Sequence, residues 1–419
     1  MIESIFSRIL LFYFAILAAQ SAYASSNFSV LPVQDETLRH FVENALSTHP
    51  LIKAELAAVE ARNAEQRAAD KAIYNPELEL DIESATDDTF SIGLNQTIDL
   101  GNKRSARKKV AASKFALSQA RLSSVKNAVC INLLTALAAF HSASHQLDLA
   151  TNRLQVVEEF ANLANRKFLA GDISQTESSL AALSLIQAQI EFATQQSSLA
   201  EAEQSLRLQA HSARNENWPN LPTDLPNLSI SENEFNLLVK SLPEVQLAQN
   251  EVAVLTNQID LRKRERKPDP TVGLRGGEEG SDSLIGVNIS IPIFIRNSFD
   301  AEVTAVQSEK LEAEYRYQNI FNRSTTRLAA ATSRFQTTLT AWKNWRNENI
   351  SSFENKTELL KRLWEAGELN TTDYLVQLNQ LLDMQVSATE LRQQLWRAWF
   401  DWLATSGTVN HWLDLEEKI

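Results

Sequence analysis

From Glu77 to Glu83 the chain alternates without a break, with Leu78, Leu80 and Ile82 on one side and Glu77, Glu79, Asp81 and Glu83 on the other. A strand sorts such residues onto two faces, whereas a helix would mix them. After Thr86-Asp87-Asp88, which reads as a turn, Phe90, Ile92, Leu94, Ile98 and Leu100 alternate with Ser91, Gly93, Asn95, Thr97 and Asp99. The two runs predict a β-hairpin over residues 75–100. A second hairpin is predicted over 270–294, where a strand at 271–277 turns at 278–282 into Ile285, Val287, Ile289, Ile291 and Ile293, interleaved with Gly286, Asn288 and Ser290. Strands that are apolar on one side, polar on the other and about ten residues long carry the pattern of a membrane β-barrel.

Elsewhere the period is seven. Leu133, Phe140, Leu147, Leu154, Ala161 and Phe168 form one such row, and Leu185, Phe192, Leu199 and Leu206 a second. Phe321, Leu328, Phe335 and Trp342 form a third, and Leu375, Leu382, Thr389, Trp396 and Leu403 a fourth. A sustained seven-residue seam predicts antiparallel, left-handed coiled-coil hairpins, folding back at Ala170-Gly171-Asp172 and Ala366-Gly367-Glu368. The first arm, residues 102–169, would extend on the order of 100 Å at the helical rise of 1.5 Å per residue.

The halves repeat. His49-Pro50 aligns with Leu242-Pro243, Asn75-Pro76 with Asp269-Pro270, Ile92-Gly93 with Ile285-Gly286 and Ala170-Gly171 with Ala366-Gly367. The domain reading is a signal peptide at 1–24, a first repeat at 25–211, a linker at 212–231, a second repeat at 232–406 and a tail at 407–419. Each repeat contains a helix, a β-hairpin, a long helix, a Gly turn and a returning helix. The expected fold class is mainly α with a small β part. Four strands cannot close a barrel, because about eight is the smallest number that spans a membrane and open edges are not tolerated in lipid. The chain is therefore expected to oligomerise, and only three copies, giving twelve strands, leave room for a substantial pore.

Composition sharpens the picture. Ten Gly and ten Pro in 419 residues are few, and seven of those glycines fall in two short windows, Gly93 to Gly101 and Gly273 to Gly286. Pro219, Pro222 and Pro226 cluster in the linker. A net charge of −12 argues against nucleic-acid binding. Arg8, the apolar run 9–19 and Ala22-Tyr23-Ala24 read as a secretory signal, and the single cysteine, Cys130, leaves no intramolecular disulfide. There is no nucleophile elbow, P-loop or zinc motif, so no enzyme activity and no cofactor is expected. His141 and His145 stand four apart, a metal-ligand spacing, but no third ligand accompanies them and no metal site is assigned. Trp396, Trp399 and Trp402 share a helical spacing that reads as packing.

The run Gln96-Thr97-Ile98-Asp99-Leu100-Gly101-Asn102-Lys103-Arg104-Ser105-Ala106-Arg107, its counterpart from Gly286 through Ile291-Pro292-Ile293-Phe294-Ile295-Arg296-Asn297, and the two Gly turns resemble the TolC-like outer-membrane efflux factors, most closely their CzcC-type heavy-metal branch. The resemblance implies a homotrimer whose twelve strands form an outer-membrane barrel continued by a periplasmic α-barrel. It further implies a passive duct docked on a periplasmic adaptor (membrane fusion) protein and an inner-membrane resistance-nodulation-division pump. Heavy-metal cations are the expected cargo, with drug efflux and type I protein secretion as alternatives. A soluble periplasmic coiled-coil scaffold is the reading from another class.

Candidate residues follow. Glu77, Glu79, Asp81 and Glu83 would line the pore, where acidic rings favour cations, or else form a simply wetted face. Gly171, Asp172, Gly367 and Glu368 would meet the adaptor. Glu177 and Asp373 lie where the family constricts its periplasmic gate, although Val376 stands where a second aspartate would be needed. Both also suit an ordinary helix start. Arg104 and Arg107 follow the second strand at the barrel rim, positioned for outer-membrane lipid phosphates or neighbouring carboxylates.

Overall fold

The computed structural model describes residues 35–84, 88–211, 217–349 and 353–415. The segment read as a signal peptide, the turn residues Thr86 and Asp87, positions 212–216 of the expected linker and positions 416–419 of the tail lie outside the described residues.

The chain runs α1 (Glu36–Thr48), α2 (Pro50–Ala69), β1 (Glu77–Ser84), β2 (Asp88–Thr97), α3 (Lys103–Ala170), α4 (Gln175–Ala210), α5 (Glu232–Ser241), α6 (Pro243–Glu265), β3 (Thr271–Glu279), β4 (Asp282–Ser290), α7 (Asp300–Asn349), α8 (Phe353–Glu365), α9 (Thr371–Ser406) and α10 (Val409–Trp412). It is mainly helical with one small antiparallel sheet, as alternation and heptads predict. Local chemistry fixes the helix starts. Asp35 accepts from the backbone N–H groups of Thr37 and Leu38 to cap α1, His49 caps α2 ahead of Pro50, and Ser174 with Glu177 forms a reciprocal capping box on α4.

The 68-residue α3 is the spine of the molecule and packs along α2, α4, α6 and α9, while α7 packs on α6 and α9. Its most deeply buried line is Ala136, Ala143, Ala150, Val157 and Ala164, seven apart and three positions on from the row that starts at Leu133. The two lines are the paired a/d positions of one heptad. Leu133 is fully buried, whereas Phe168 at the row's end is 37% exposed. Two apolar clusters sit at different heights on this shaft. The larger gathers Leu38, Leu134, Leu137, Phe335, Trp399, Phe400, Trp402 and Trp412. Trp399 and Trp402 stack there with ring centroids 5.1 Å apart and planes 13° from parallel, which is packing rather than ligand binding. The smaller cluster joins Phe160 and Ala164 of α3 to Trp364, Tyr374 and Leu378 of the second helical hairpin. Among the described residues α3 alone holds a stretch long and apolar enough to cross a membrane, but 44% of that stretch is buried inside the fold. Cys130 lies there, and burial pushes its thiol up to about 12, which keeps it protonated and unreactive.

The sheet has the order β1-β2-β3-β4, all antiparallel, so the two hairpins join through β2 and β3 and the outer edges of β1 and β4 stay unpaired. The alternation predicted to run to Ile293 stops as a strand at Ser290. Pro292 has no N–H for the ladder and fixes the end of the pairing there.

Candidate functional site

Strand register sorts the sheet into two faces. Leu78 pairs with Leu94, Leu80 with Ile92 and Ile82 with Phe90; Leu94 pairs onward with Leu274 and Leu274 with Val287. Ile285 and Ile289 complete this face, with Ile82 77% and Ile285 89% exposed. A continuous apolar face of this kind, standing clear of its own fold, fits lipid rather than water. Glu77, Glu79, Asp81 and Glu83 share the opposite face with Ser91, Asn95, Asn288, Glu279, Asp282 and Arg275. Asn95 Nδ2 donates to Glu79 Oε2 at 2.7 Å. A Cβ placed on Gly93 would lie 3.6 Å from that of Glu79 and 3.5 Å from that of Arg275. Directly opposed Cβ atoms in an antiparallel pair are roughly 4.5–5.5 Å apart, so the sheet curls toward its polar face, as a barrel lumen requires.

Where sheet meets shaft, a polar knot ties the halves together. Asp99 accepts from the backbone N–H groups of Lys103 at 2.8 Å and Arg104 at 2.9 Å, and so caps the start of α3, while Asn102 takes the left-handed conformation at φ 52°. This is the physical role of the motif's Asp and Asn. Lys103 Nζ donates to Asp269 Oδ2 at 2.7 Å and to the Lys267 carbonyl at 2.7 Å, and the Tyr74 hydroxyl donates to the same Asp269 oxygen at 2.6 Å. Burial would raise the Asp269 pKa, but the bonds from Lys103 and Tyr74 outweigh it and hold the carboxyl below its ordinary value. The same bond, with burial, pushes Tyr74 up to about 12. Arg104 is occupied within the chain: its Nε donates to the Asp70 carbonyl at 2.9 Å and its guanidinium lies 3.5 Å from the Asp70 carboxylate, which fastens the end of α2. Arg107 lines a cavity of about 500 Å³ beside Tyr74, Lys103, Arg262 and Glu302.

At the far end of the shaft the two turns have the same construction. Gly171 and Gly367 sit at φ +82° and +78° with open space around them. In each turn the glycine N–H bonds three residues back, Gly171 to Phe168 at 3.0 Å and Gly367 to Trp364 at 3.1 Å. The next N–H bonds five back, Asp172 to Lys167 at 2.8 Å and Glu368 to Leu363 at 3.0 Å. Both are left-handed helix ends in which glycine avoids a Cβ penalty. All four turn residues are exposed. Glu177 is engaged in its capping box, where bonds from the Ser174 backbone and hydroxyl lower its pKa, and Asp373 receives a bond from Asn370 Nδ2 at 2.7 Å. Phe160, Trp364 and Tyr374 stack between the hairpins, the Lys167 ammonium lies 4.9 Å from the Trp364 ring, and Lys361 pairs with Glu159 at 3.2 Å.

Residues 41–210 match the family described as Outer membrane efflux protein. The match covers the first half of the chain from within its first helix to the end of α4. Curated relatives include the cobalt-zinc-cadmium resistance protein CzcC of Cupriavidus metallidurans, 27% identical over 73% of this chain and 74% of that protein, and the nickel and cobalt resistance protein CnrC of the same organism, 29% identical over 68% and 73%. Among solved structures, CusC superposes with a TM-score of 0.76 at 14% identity over 92% of this chain and 95% of that one. The Campylobacter jejuni CmeC outer membrane channel superposes at 0.72 and 16% identity, over 89% and 86%. These structures share the fold. Proteins of that family reside in the Gram-negative outer membrane with a large periplasmic part. Channels of this family work with adaptor and pump partners and form trimers.

Two features of the site escape a reading of the sequence. The Lys103–Asp269 pair joins residues 166 apart, and in the sequence Asp269 stands out only as part of the Asp269-Pro270 step that aligns with Asn75-Pro76. Arg275 sits on the polar face among glycines, and strand parity alone would have placed it there. His141 Nε2 lies 2.8 Å from the Pro219 carbonyl oxygen, which ties α3 to the segment before α5.

Proposed function

We propose that three copies of this chain form the exit duct of a tripartite heavy-metal efflux pump: twelve strands close a barrel in the outer membrane, and the helical hairpins continue it across the periplasm. The observation that carries this reading is the four-stranded sheet with one exposed apolar face, one acidic face and two open edges, mounted on a 68-residue helix. A lone sheet of this kind can satisfy neither lipid nor its own edge hydrogen bonds. The duct performs no chemistry; the energy comes from an inner-membrane pump of the resistance-nodulation-division type, reached through a periplasmic adaptor that docks at Gly171, Asp172, Gly367 and Glu368.

Heavy-metal cargo is favoured by the names of CzcC and CnrC and by the carboxylates of β1, four per chain, which concentrate cations in a narrow lumen. Glu177 and Asp373 contribute negative charge near the tunnel mouth from the first turns of their helices, where Ser174 and Asn370 are the caps. The reading divides the mature chain into two repeats, 25–211 and 232–406, behind a signal peptide. Deletion of the gene is expected to raise sensitivity to divalent cobalt, zinc, nickel or cadmium and to leave sensitivity to organic drugs unchanged. The opposite pattern would make this a drug duct. In planar bilayers, Glu77→Gln, Glu79→Gln, Asp81→Asn and Glu83→Gln together are expected to reduce cation preference at unchanged conductance steps; an unaltered reversal potential would make the acidic face a wetted surface only.

A further inference from the structure

Arg275 is the single cation among the strand residues β1–β4, and it faces the acidic side of the sheet. Its two register neighbours are both glycines, Gly93 on β2 and Gly286 on β4. On the β2 side, beyond Gly93, stands Glu79, within easy reach of an arginine. The side chain does not turn that way. It lies across Gly286, with Cγ 3.2 Å and Nε 3.0 Å from the position a Cβ would occupy there, and Glu79 is held by Asn95 instead. Among the described residues Arg275 has no ion-pair partner. The guanidinium is thus carried over β4, the strand whose far edge is open. A Cβ on residue 286 would crowd that path.

The next strand to pair with β4 lies about 4.8 Å beyond it. In a closed ring of identical chains that strand is β1 of the neighbouring copy, and every polar-face position of β1 from 77 to 83 is a carboxylate. A register that keeps lumen face with lumen face and sets Gly286 beside residues 77–83 therefore places a carboxylate at the guanidinium. We propose that Arg275 crosses the β4–β1 seam and pairs with a β1 carboxylate of the adjacent copy, so that each protomer supplies the cation of one seam and the anion of the next. The pair would hold the seam at its lumen surface and offset one negative charge per copy of an otherwise acidic lumen. This inference rests on the reading of the sheet as one part of a closed oligomeric barrel.

The test uses two differently tagged full-length chains co-expressed in one cell, one carrying Arg275→Cys and the other a single β1 substitution, Glu77→Cys, Glu79→Cys, Asp81→Cys or Glu83→Cys. Cross-linking in isolated outer membranes with a short bis-methanethiosulfonate, which forms a disulfide to each cysteine and releases sulfinate, can join the two tags only between chains. One β1 position, or two adjacent ones, is expected to give a covalent product carrying both tags. The carboxylate so identified is then exchanged with Arg275. Arg275→Glu alone is expected to lower the temperature at which the detergent-resistant oligomer dissociates, and arginine at the identified β1 position in the same chain to restore it. If none of the four positions cross-links while native mass measurement still shows the oligomer, or if the charge swap gives no restoration, the seam pair is wrong and the channel reading stands. If the unaltered protein shows no oligomer, the channel reading itself fails.

Discussion

Lys103 offers a sharp test of how the halves are joined beneath the barrel. Its side chain is 11% exposed and that of its partner Asp269 is 5% exposed, so solvent screens the pair little. Lys103→Met removes the cation and the bond to the Lys267 carbonyl, and leaves Asp269 a buried carboxylate with Tyr74 as its remaining donor. Breaking a buried pair from one side costs about 3–5 kcal/mol, and the surviving Tyr74 bond places this case near the lower end. About 3 kcal/mol corresponds to roughly a hundredfold change in the local opening equilibrium. The opening is read by hydrogen exchange of the detergent-solubilised protein at the amides of Lys103 and Arg104, which Asp99 protects. Lys103→Met with Asp269→Asn removes both charges while keeping an acceptor for Tyr74, and is expected to recover most of the protection. Because Asp269's folded pKa is lowered, the stabilisation is present above its ordinary 3.8 and is lost as the pH falls below that value. Wild-type exchange rates in Lys103→Met, or a double variant worse than the single, would refute the reasoning.

Two further outcomes are expected. Gly171→Ala and Gly367→Ala meet no atom within 4 Å, so each costs only the left-handed backbone penalty of about 1 kcal/mol, while Gly171→Trp is expected to leave the oligomer intact and reduce capture by the adaptor; equal capture by wild type and variant would remove the docking role. His49 caps α2 through Nδ1, and burial, with His211 nearby, lowers its pKa, so the α1–α2 junction is expected to lose stability as the pH falls below 6.5 and to level off below the folded pKa; His49→Asn, a cap that does not titrate, should flatten that dependence in thermal melts, and an unchanged pH profile would show that His49 is not its source.

The elements easiest to read in the sequence were those whose signal is local and repeated. β1 alternates at every position, the Gly turns stop long heptads, and the cap residues stand next to the helices they start. The heptads located the seams but not their tightest line, because Ala143, Ala150 and Ala164 are too small to stand out beside Phe140 and Leu147. The end of β4 was masked by Ile291 and Ile293, which continue the alternation after Pro292 has removed the ladder's donor. Features that depend on pairing between hairpins were not legible. Arg275 meets Gly93 only through the β2–β3 register, and Lys103 meets Asp269 only once both halves are assembled. Long-range coincidences of this kind leave no period in the chain.

The open-edged sheet of one chain is expected to be completed by two others. Native mass measurement of the detergent-extracted, full-length protein tests this most directly. A single species containing three copies is expected; a monomer or a dimer would show that the sheet is not closed in this way.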